Sequence, residues 1–314
     1  MTGILYTADH RMLSLPPLLS WRITHTGTVP CDSFTVRFAY RKEMAEVLSK
    51  AAGFTAEEGG KTVLRAVVDE YTVDLDGVGL TAAVSGRGYA ARLLDNESRP
   101  ITYQQAALAE ILRNHVEPYG ISCKEIAQVR AESVYTVAAG TSQWKAVESF
   151  CRAYGGFVPR FSREGELLAG PEQPGRTLSI GKGDPVLSCT LREDHYGVLT
   201  EALVIDKTRN KDYSVKNQAM LDKGGQCRRV IYTPGQSTWA AMRYTGEYQI
   251  RRSGEDAWTA EVTLPGSFLA FPGDRAAVSL DRMGLKGTFR VAEAENRFDG
   301  RRGATAVLTL KPLE

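Results

Sequence analysis

Gly86, Gly88 and Ala91, in the stretch VSGRGYAARLLDN from Val84 to Asn96, stand at the spacing of a dinucleotide-binding G-x-G-x-x-A loop. A strand-like run from Val78 to Val84 precedes them and a helix-like segment follows. Cofactor chemistry at such a loop needs a long helix whose N-terminus faces the pyrophosphate. It also needs a second parallel strand and an acidic residue about 20 positions on. Here the helix from Tyr89 meets Asn96-Glu-Ser-Arg-Pro100 after about two turns, because proline disfavours helix at the residue before it. Another helix pattern follows where the strand should be, and Asp95 comes only seven residues after Gly88. The stretch therefore predicts a strand, a turn and a short helix, with no cofactor.

The other residue types that carry chemistry are dispersed. His10, His25, His115 and His195 show neither H-x-x-x-H nor H-E-x-x-H spacing, which would bring two imidazoles to one metal ion. His115, near the end of a predicted helix, suits a favourable cap on the helix dipole. No G-x-S-x-G elbow presents a serine nucleophile. Gly181-Lys-Gly-Asp184 lacks both the hydroxyl after its lysine and a following helix, so it predicts a turn rather than a phosphate loop. Asp69, Glu70, Asp74 and Asp76 alternate with Tyr71, Val73 and Leu75. That is the solvent side of a strand rather than a carboxylate pair for glycoside hydrolysis. Arg297, Arg301 and Arg302 cluster at a predicted hairpin tip, as a solvated tip or a surface for an acidic partner. No catalytic, cofactor-binding or metal-ligating residue emerges.

Bulk composition narrows the classes that remain. At 314 residues the chain suits about two domains, or three small ones, each with its own core. A formal net charge of +2 implies no general attraction to nucleic acid or to an anionic membrane. The five cysteines, Cys31, Cys123, Cys151, Cys189 and Cys227, are odd in number and include no C-x-x-C pair. Such usage suits a reducing compartment and neither a disulfide framework nor a structural zinc site. Asp9, His10 and Arg11 interrupt the region where a signal peptide's apolar core would lie, so no secretory signal is expected. No apolar run approaches the ~18 residues that span a bilayer, so a soluble chain without a membrane anchor is expected.

The elements that must position these residues show their own periods. In DSFTVRFAY, Phe34, Val36, Phe38 and Tyr40 share one face of a predicted half-buried strand. Thr62 to Val84 continues the β pattern, with a hairpin turn at Asp76-Gly77. Arg41 to Ala52 fits either a short helix or a strand with a loop. Between Ile101 and Gly156 the pattern turns helical. Thr102 and Gln105 form a capping-box pair, Leu108, Ile111, Leu112 and Val116 a stripe, and Pro118-Tyr-Gly120 a stop. A second helix is capped by Ser142, carries Trp144, Val147, Cys151 and Tyr154, and can end at Gly155. GFVPRFSREGELLAG predicts a hairpin around Glu164-Gly165, and Gly170 to Gly175 a linker. From Gly197 on, strands are predicted at Val198 to Asp206, Cys227 to Tyr232, Gly246 to Arg251, Ala257 to Leu264, Arg275 to Leu280, Gly287 to Ala294 and Ala304 to Lys311. Turns at Pro272-Gly273-Asp274 and Asp299-Gly300 separate the later ones. The expected class is α+β and mostly β. It comprises a first β-barrel-like domain over 1–98, an α/β insert over 99–192, and a second β-barrel-like domain over 193–314.

Two resemblances bear on function. Tyr135, Val137, Gly140, Ser142 and Trp144 resemble the opening of a LysM module, which would imply binding of N-acetylglucosamine polymers, and so a peptidoglycan-binding or cell-wall-acting tail protein. Ser142 stands where such modules usually carry aspartate, and the match covers about 20 residues. A longer, ordered set of signals resembles the baseplate hub proteins of contractile-tailed bacteriophages and tailocins, the late control protein D and phage Mu hub group. It runs through Ala66-Val67-Val68-Asp69, then Val84, Gly86, Arg87, Leu93 and Asp95, then YQQAALAEILRNHVEPYGI, GTSQWKAVESFCRAYGG, FPGDRAAVSL, GTFRVAEAENRF and ATAVLTLKP. In that setting Gly86, Arg87 and Gly88 would turn the chain out of the first barrel, and Leu93 to Asp95 would start a connecting helix.

The hub resemblance implies a virion structural protein and no enzyme. Three copies would form a homotrimeric ring with pseudo-sixfold symmetry, joining a central spike protein to a tail tube protein. Other baseplate proteins and the tape measure would be neighbours, and no cofactor or specific nucleic-acid binding is implied. The location would be the tail of a virion or phage-like particle, assembled in the host cytoplasm.

Overall fold

The computed structural model describes residues 1–27, 31–77, 79–131, 134–181, 183, 185–233 and 239–313, with backbone alone at 240 and 241. The first part carries β1 (Thr2–Thr7), β2 (Met12–Ser14), β3 (Leu18–His25), β4 (Ser33–Ala39), α1 (Ala45–Ser49), β5 (Ala51–Glu58), β6 (Lys61–Asp76) and β7 (Gly79–Gly88). Next come α2 (Ala91–Leu94), β8 (Ile101–Gln104), α3 (Leu108–His115), β9 (Cys123–Lys124), β10 (Val134–Val137), α4 (Gln143–Phe150), β11 (Arg160–Phe161) and β12 (Leu167–Leu168). The remainder runs β13 (Thr177–Ile180), β14 (Ser188–Glu193), β15 (Glu201–Asp206), β16 (Lys211–Lys216), α5 (Gln218–Asp222), β17 (Arg228–Thr233), α6 (Trp239–Gly254), β18 (Trp258–Pro265), β19 (Arg275–Leu280), β20 (Leu285–Asp299) and β21 (Gly303–Pro312). The protein is mostly β, as its alternating patterns predict. It divides into two compact units, 1–188 with 262–309, and 189–261 with 310–314.

In the larger unit a long sheet follows the path β21-β20-β3-β4-β7-β6-β5-β1-β2, with β19 beside β20 and β13 beside β19. The pairings from β20 through β3, β4, β7, β6 and β5 to β1 are antiparallel, whereas β13 lies parallel to β19. They follow an open path, and no closed barrel forms among the described residues. The period of two in β4 places Phe34, Val36 and Phe38 in the core, where each buried side chain contributes about 1.5–3 kcal/mol. Phe34 stacks on Phe54 at 4.2 Å and Trp21 on Phe268 at 5.3 Å between ring centres. Arg41 to Ala52 resolves into a tight turn at Lys42–Met44, then α1, then the start of β5.

The middle segment builds a separate core from Leu93, Leu108, Ile111, Leu112, Trp144, Val147 and Phe150, as the two helical stripes predict. Two expected boundaries move. The Thr102–Gln105 capping pair is not a cap: Thr102 sits in β8 opposite Thr136 of β10, and α3 starts at Leu108 behind Ala107, which makes no side-chain cap. Strand pairing with β10 outcompetes the local cap there. In the second helix Ser142 caps as expected, its Oγ accepting from Lys145 N at 3.1 Å. The helix then widens into a π-turn at Cys151–Gly155, and Gly156, at φ +70°, ends it instead of Gly155. The hairpin around Glu164-Gly165 forms, with Arg160 opposite Leu168 and Phe161 opposite Leu167.

The smaller unit holds a three-stranded sheet, β16-β15-β17, with β16 antiparallel and β17 parallel to β15. The strand expected at Gly246 to Arg251 is instead part of α6. Met242 and Gly246 are buried four residues apart, the period of a helix laid on a sheet. A Cβ on Gly246 would come within 2.5 Å of Val215 Cγ2, so the glycine marks close helix–strand approach and not a strand start. The other strand candidates after Gly197 overlap β15, β17, β18, β19, β20 and β21, with Val198 to Thr200 lying before β15.

Candidate interaction surfaces

Gly86 and Gly88 lie inside β7 rather than in a turn; the turn falls at Tyr89-Ala90, and α2 is a single turn of helix. A Cβ on Gly86 would meet Val67 O at 2.0 Å and Phe34 Cε1 at 2.9 Å. The glycine spacing thus serves strand packing beside a bulge in β6 between Val68 and Glu70. Arg87, between the glycines, donates Nε and Nη2 to Asp69 at 2.7 and 3.0 Å, and Nη1 and Nη2 to Asp95 at 3.0 and 2.8 Å. Its guanidinium holds the Asp95 carboxyl below its ordinary range. Arg87 therefore ties the root of the β6–β7 hairpin to the end of α2.

His115 is a buried polar node in the middle core and not an exposed dipole cap. Its Nδ1 lies 2.6 Å from Gln143 Oε1 and its Nε2 2.9 Å from Tyr103 Oη. Gln143 Nε2 donates to Glu97 O and Tyr119 Oη, which leaves Oε1 as the acceptor and places the imidazole proton on Nδ1. Tyr103 then donates its hydroxyl to Nε2 and accepts from Asn114 Nδ2 at 3.1 Å. Burial lowers the His115 pKa, against the raising effect of the Gln143 bond, so the network is built around a neutral ring.

Among the described residues, no cluster of three or more histidine, cysteine or acidic side chains could hold a metal ion. The cysteines form no disulfide, and burial pushes Cys31 and Cys123 up to about 11 and Cys151 up to about 12, away from thiolate nucleophiles. His10 sits in a turn, and His195 pairs on the surface with Glu193 at 3.1 Å. Lys182 and Asp184 of the expected turn lie outside the described residues, as does Val78. A cavity of about 410 Å³ in the larger unit is lined by His25, Arg65, Tyr89, Arg163 and Phe271 among others. His25 donates Nε2–H to Val63 O at 2.9 Å, and Arg163 lies over the Phe271 ring at 4.3 Å. The nearby carboxylate of Asp274 accepts from Arg176 and from the Phe271 amide, and so is committed to holding the loop.

Trp144, the aromatic residue of the LysM-like stretch, is only 5% exposed and packs against Phe161. Tyr135 spends its hydroxyl on Ala146 O. Neither is presented as a sugar-stacking platform. Of the arginine cluster, Arg297 lies in β20 bonded to Thr305 Oγ1, while Arg301 and Arg302 occupy the tip, where Asp299 Oδ1 accepts both amides.

The surfaces that stand out are strand surfaces. Beyond Val67, β6 leaves β5 and continues with β7 alone as a ribbon, in which Tyr71 faces Val84, Val73 faces Ala82 and Leu75 faces Leu80. Val84 and Ala82 are fully buried, yet Val73 on the same face is 42% exposed and Leu75 79% exposed. The sequence predicts the alternation but not this exposure, since a period of two names a face without saying whether anything covers it. In the smaller unit α6 covers the sheet face of Val204 and Val215. The opposite face carries Leu203, Ile205, Val230 and Tyr232, of which Val230 and Tyr232 are 45% and 58% exposed.

No family model matches the chain, and no curated protein matches it by sequence. Solved structures do. A prophage MuSo2 43 kDa tail protein from Shewanella oneidensis superposes with a TM-score of 0.82 at 17% identity, over 99% of this chain and 97% of that one. A tail protein from Neisseria meningitidis MC58 gives 0.81 at 16% identity, over 99% and 96%. An Escherichia coli type VI secretion component, itself described as structurally similar to the T4 bacteriophage tail proteins gp27 and gp5, gives 0.57 at 12% identity, over 95% and 74%. Along essentially its whole length, then, this chain has the fold of phage tail proteins.

Proposed function

We propose that the chain is a structural hub subunit of a contractile-tail baseplate, three copies of which form a ring between a central spike and the tail tube. The observation that carries this reading is the full-length match to two tail proteins, with little left over on either side. Two features of the chain support it. Its chemistry-bearing side chains are spent on structure, in the Arg87 clamp and the His115 network. Its exposed apolar surface is concentrated on strands, which suits a part made to be covered by neighbours.

In this reading the β portions over 1–98 and 193–314 act as two barrel-like modules, separated by the insert over 99–192. Three chains then present six similar modules to a sixfold tube and three to a threefold spike, which resolves the symmetry mismatch without a second gene product. The role is non-enzymatic. The partners are the spike, the tube, other baseplate proteins and the tape measure, and the site of action is the tail of a virion or phage-like particle. The test is antibody labelling of purified particles viewed by electron microscopy. Label at the spike end of the tail is expected; label spread along the tube, or absent from particles, overturns the role.

A further inference from the structure

Two open strand edges in this chain are complementary. From Asp69 to Asp76 the outer edge of β6 pairs with no strand among the described residues, since β5 reaches only to Val67 and β7 takes the inner edge. That edge is apolar on one face, through Tyr71, Val73 and Leu75, and acidic between, through Glu70 and Asp74. A long exposed edge of this kind templates another strand. It does not suit a second copy of itself: antiparallel pairing about Val73 would set Glu70 against Asp76, like charge against like. The edge strand β17 has the opposite character. Among the described residues it pairs with β15 alone, begins with Arg228 and Arg229, and exposes Val230 and Tyr232.

We propose that the β6 edge of one copy adds antiparallel to the β17 edge of the next, with Tyr71 opposite Tyr232, Val73 opposite Val230 and Asp74 opposite Arg229. This rests on the ring-forming reading above and names the strands that close the ring. Directly opposed residues share a face, so Tyr71 and Val73 meet Tyr232 and Val230 while Asp74 meets a guanidinium on the other. Leu75 falls opposite Arg228, whose Nε already donates to Glu201 Oε2 at 2.6 Å, at the end of the paired stretch. The contact joins two different surfaces, so it repeats head to tail and ends only when a ring closes. Arg229 donates to the uncharged Gln249 Oε1 at 3.0 Å in the single chain, an acceptor that a carboxylate partner supersedes.

The test is a charge swap read by light scattering over a concentration series. Asp74→Arg and Arg229→Asp are each expected to raise the concentration of half-dissociation about tenfold or more, because each sets like charges opposite one another. The double variant is expected to restore the wild-type midpoint. Single variants that assemble like wild type, or a double variant no better than the singles, overturn the pairing while a wild-type trimer leaves the hub reading standing. A wild type that stays a single chain at every concentration overturns both. Thermal unfolding of each variant identifies any that fails to fold; the pair Val73→Lys and Val230→Glu then replaces it, judged on the same loss and restoration.

Discussion

At the scale of single residues, the side chains with reactive chemistry serve architecture, and their behaviour with pH follows from that. His115 is neutral in the folded core because burial lowers its pKa. The unfolded chain takes up a proton near the ordinary value of 6.5 that the folded one refuses. Stability due to this residue is thus present above about pH 6.5 and lost as the pH falls below it. Unfolding midpoints measured from pH 8 to pH 5 should fall more steeply for wild type than for His115→Gln; parallel curves would show that the folded ring takes up its proton as readily as the unfolded one. Gly86→Ala should cost about 1–3 kcal/mol in denaturant unfolding, since its Cβ would strike Val67 O, whereas Gly59→Ala tests only the cost of a left-handed turn glycine. The glycine pair could be dismissed as a cofactor loop from sequence, because the missing acidic residue and strand are local. Its actual role could not, because the close approaches to Val67 O and to Phe34 of β4 arise only from strand pairing, which leaves no local mark.

Elements were legible where local period and tertiary packing agree. The apolar faces named for β4, α3 and α4 are buried and the hairpin at Gly165 forms, although α3 starts later than its pattern suggests and α4 ends in a π-turn. The exceptions have physical causes. α6 was hidden because its packing face includes Gly246, which carries no hydrophobic signal although it sits against Val204 and Val215. Gly246→Val should therefore destabilise the smaller unit by about 1–3 kcal/mol through overpacking. Limited proteolysis is the direct readout: cleavage within 189–261 should accelerate in the variant, and an unchanged rate would mean that α6 does not lie against β15 and β16 as described. β13, β14 and β16 were missed because at four to six residues each is too short for its alternation to stand out. The β6–β7 ribbon shows the reverse difficulty: its alternation is clear, yet the core expected behind Tyr71 and Val73 is absent from the single chain.

At the scale of the molecule, the tail-protein fold was legible from the order of degenerate motifs rather than from any one of them. No family model or curated sequence matches, and the two full-length structural matches share only 16 to 17% identity with the chain, so the likeness is one of fold. The open strand path and the two compact units were not legible, because pairing between distant strands leaves no local mark. An assembly account explains why apolar strand surface is left uncovered in one copy, and it makes the number of copies the central quantity. The decisive measurement is the absolute mass of the purified protein by light scattering across a wide concentration range. The account predicts the mass of three chains at the upper end, with dissociation on dilution; the mass of one chain throughout would contradict it.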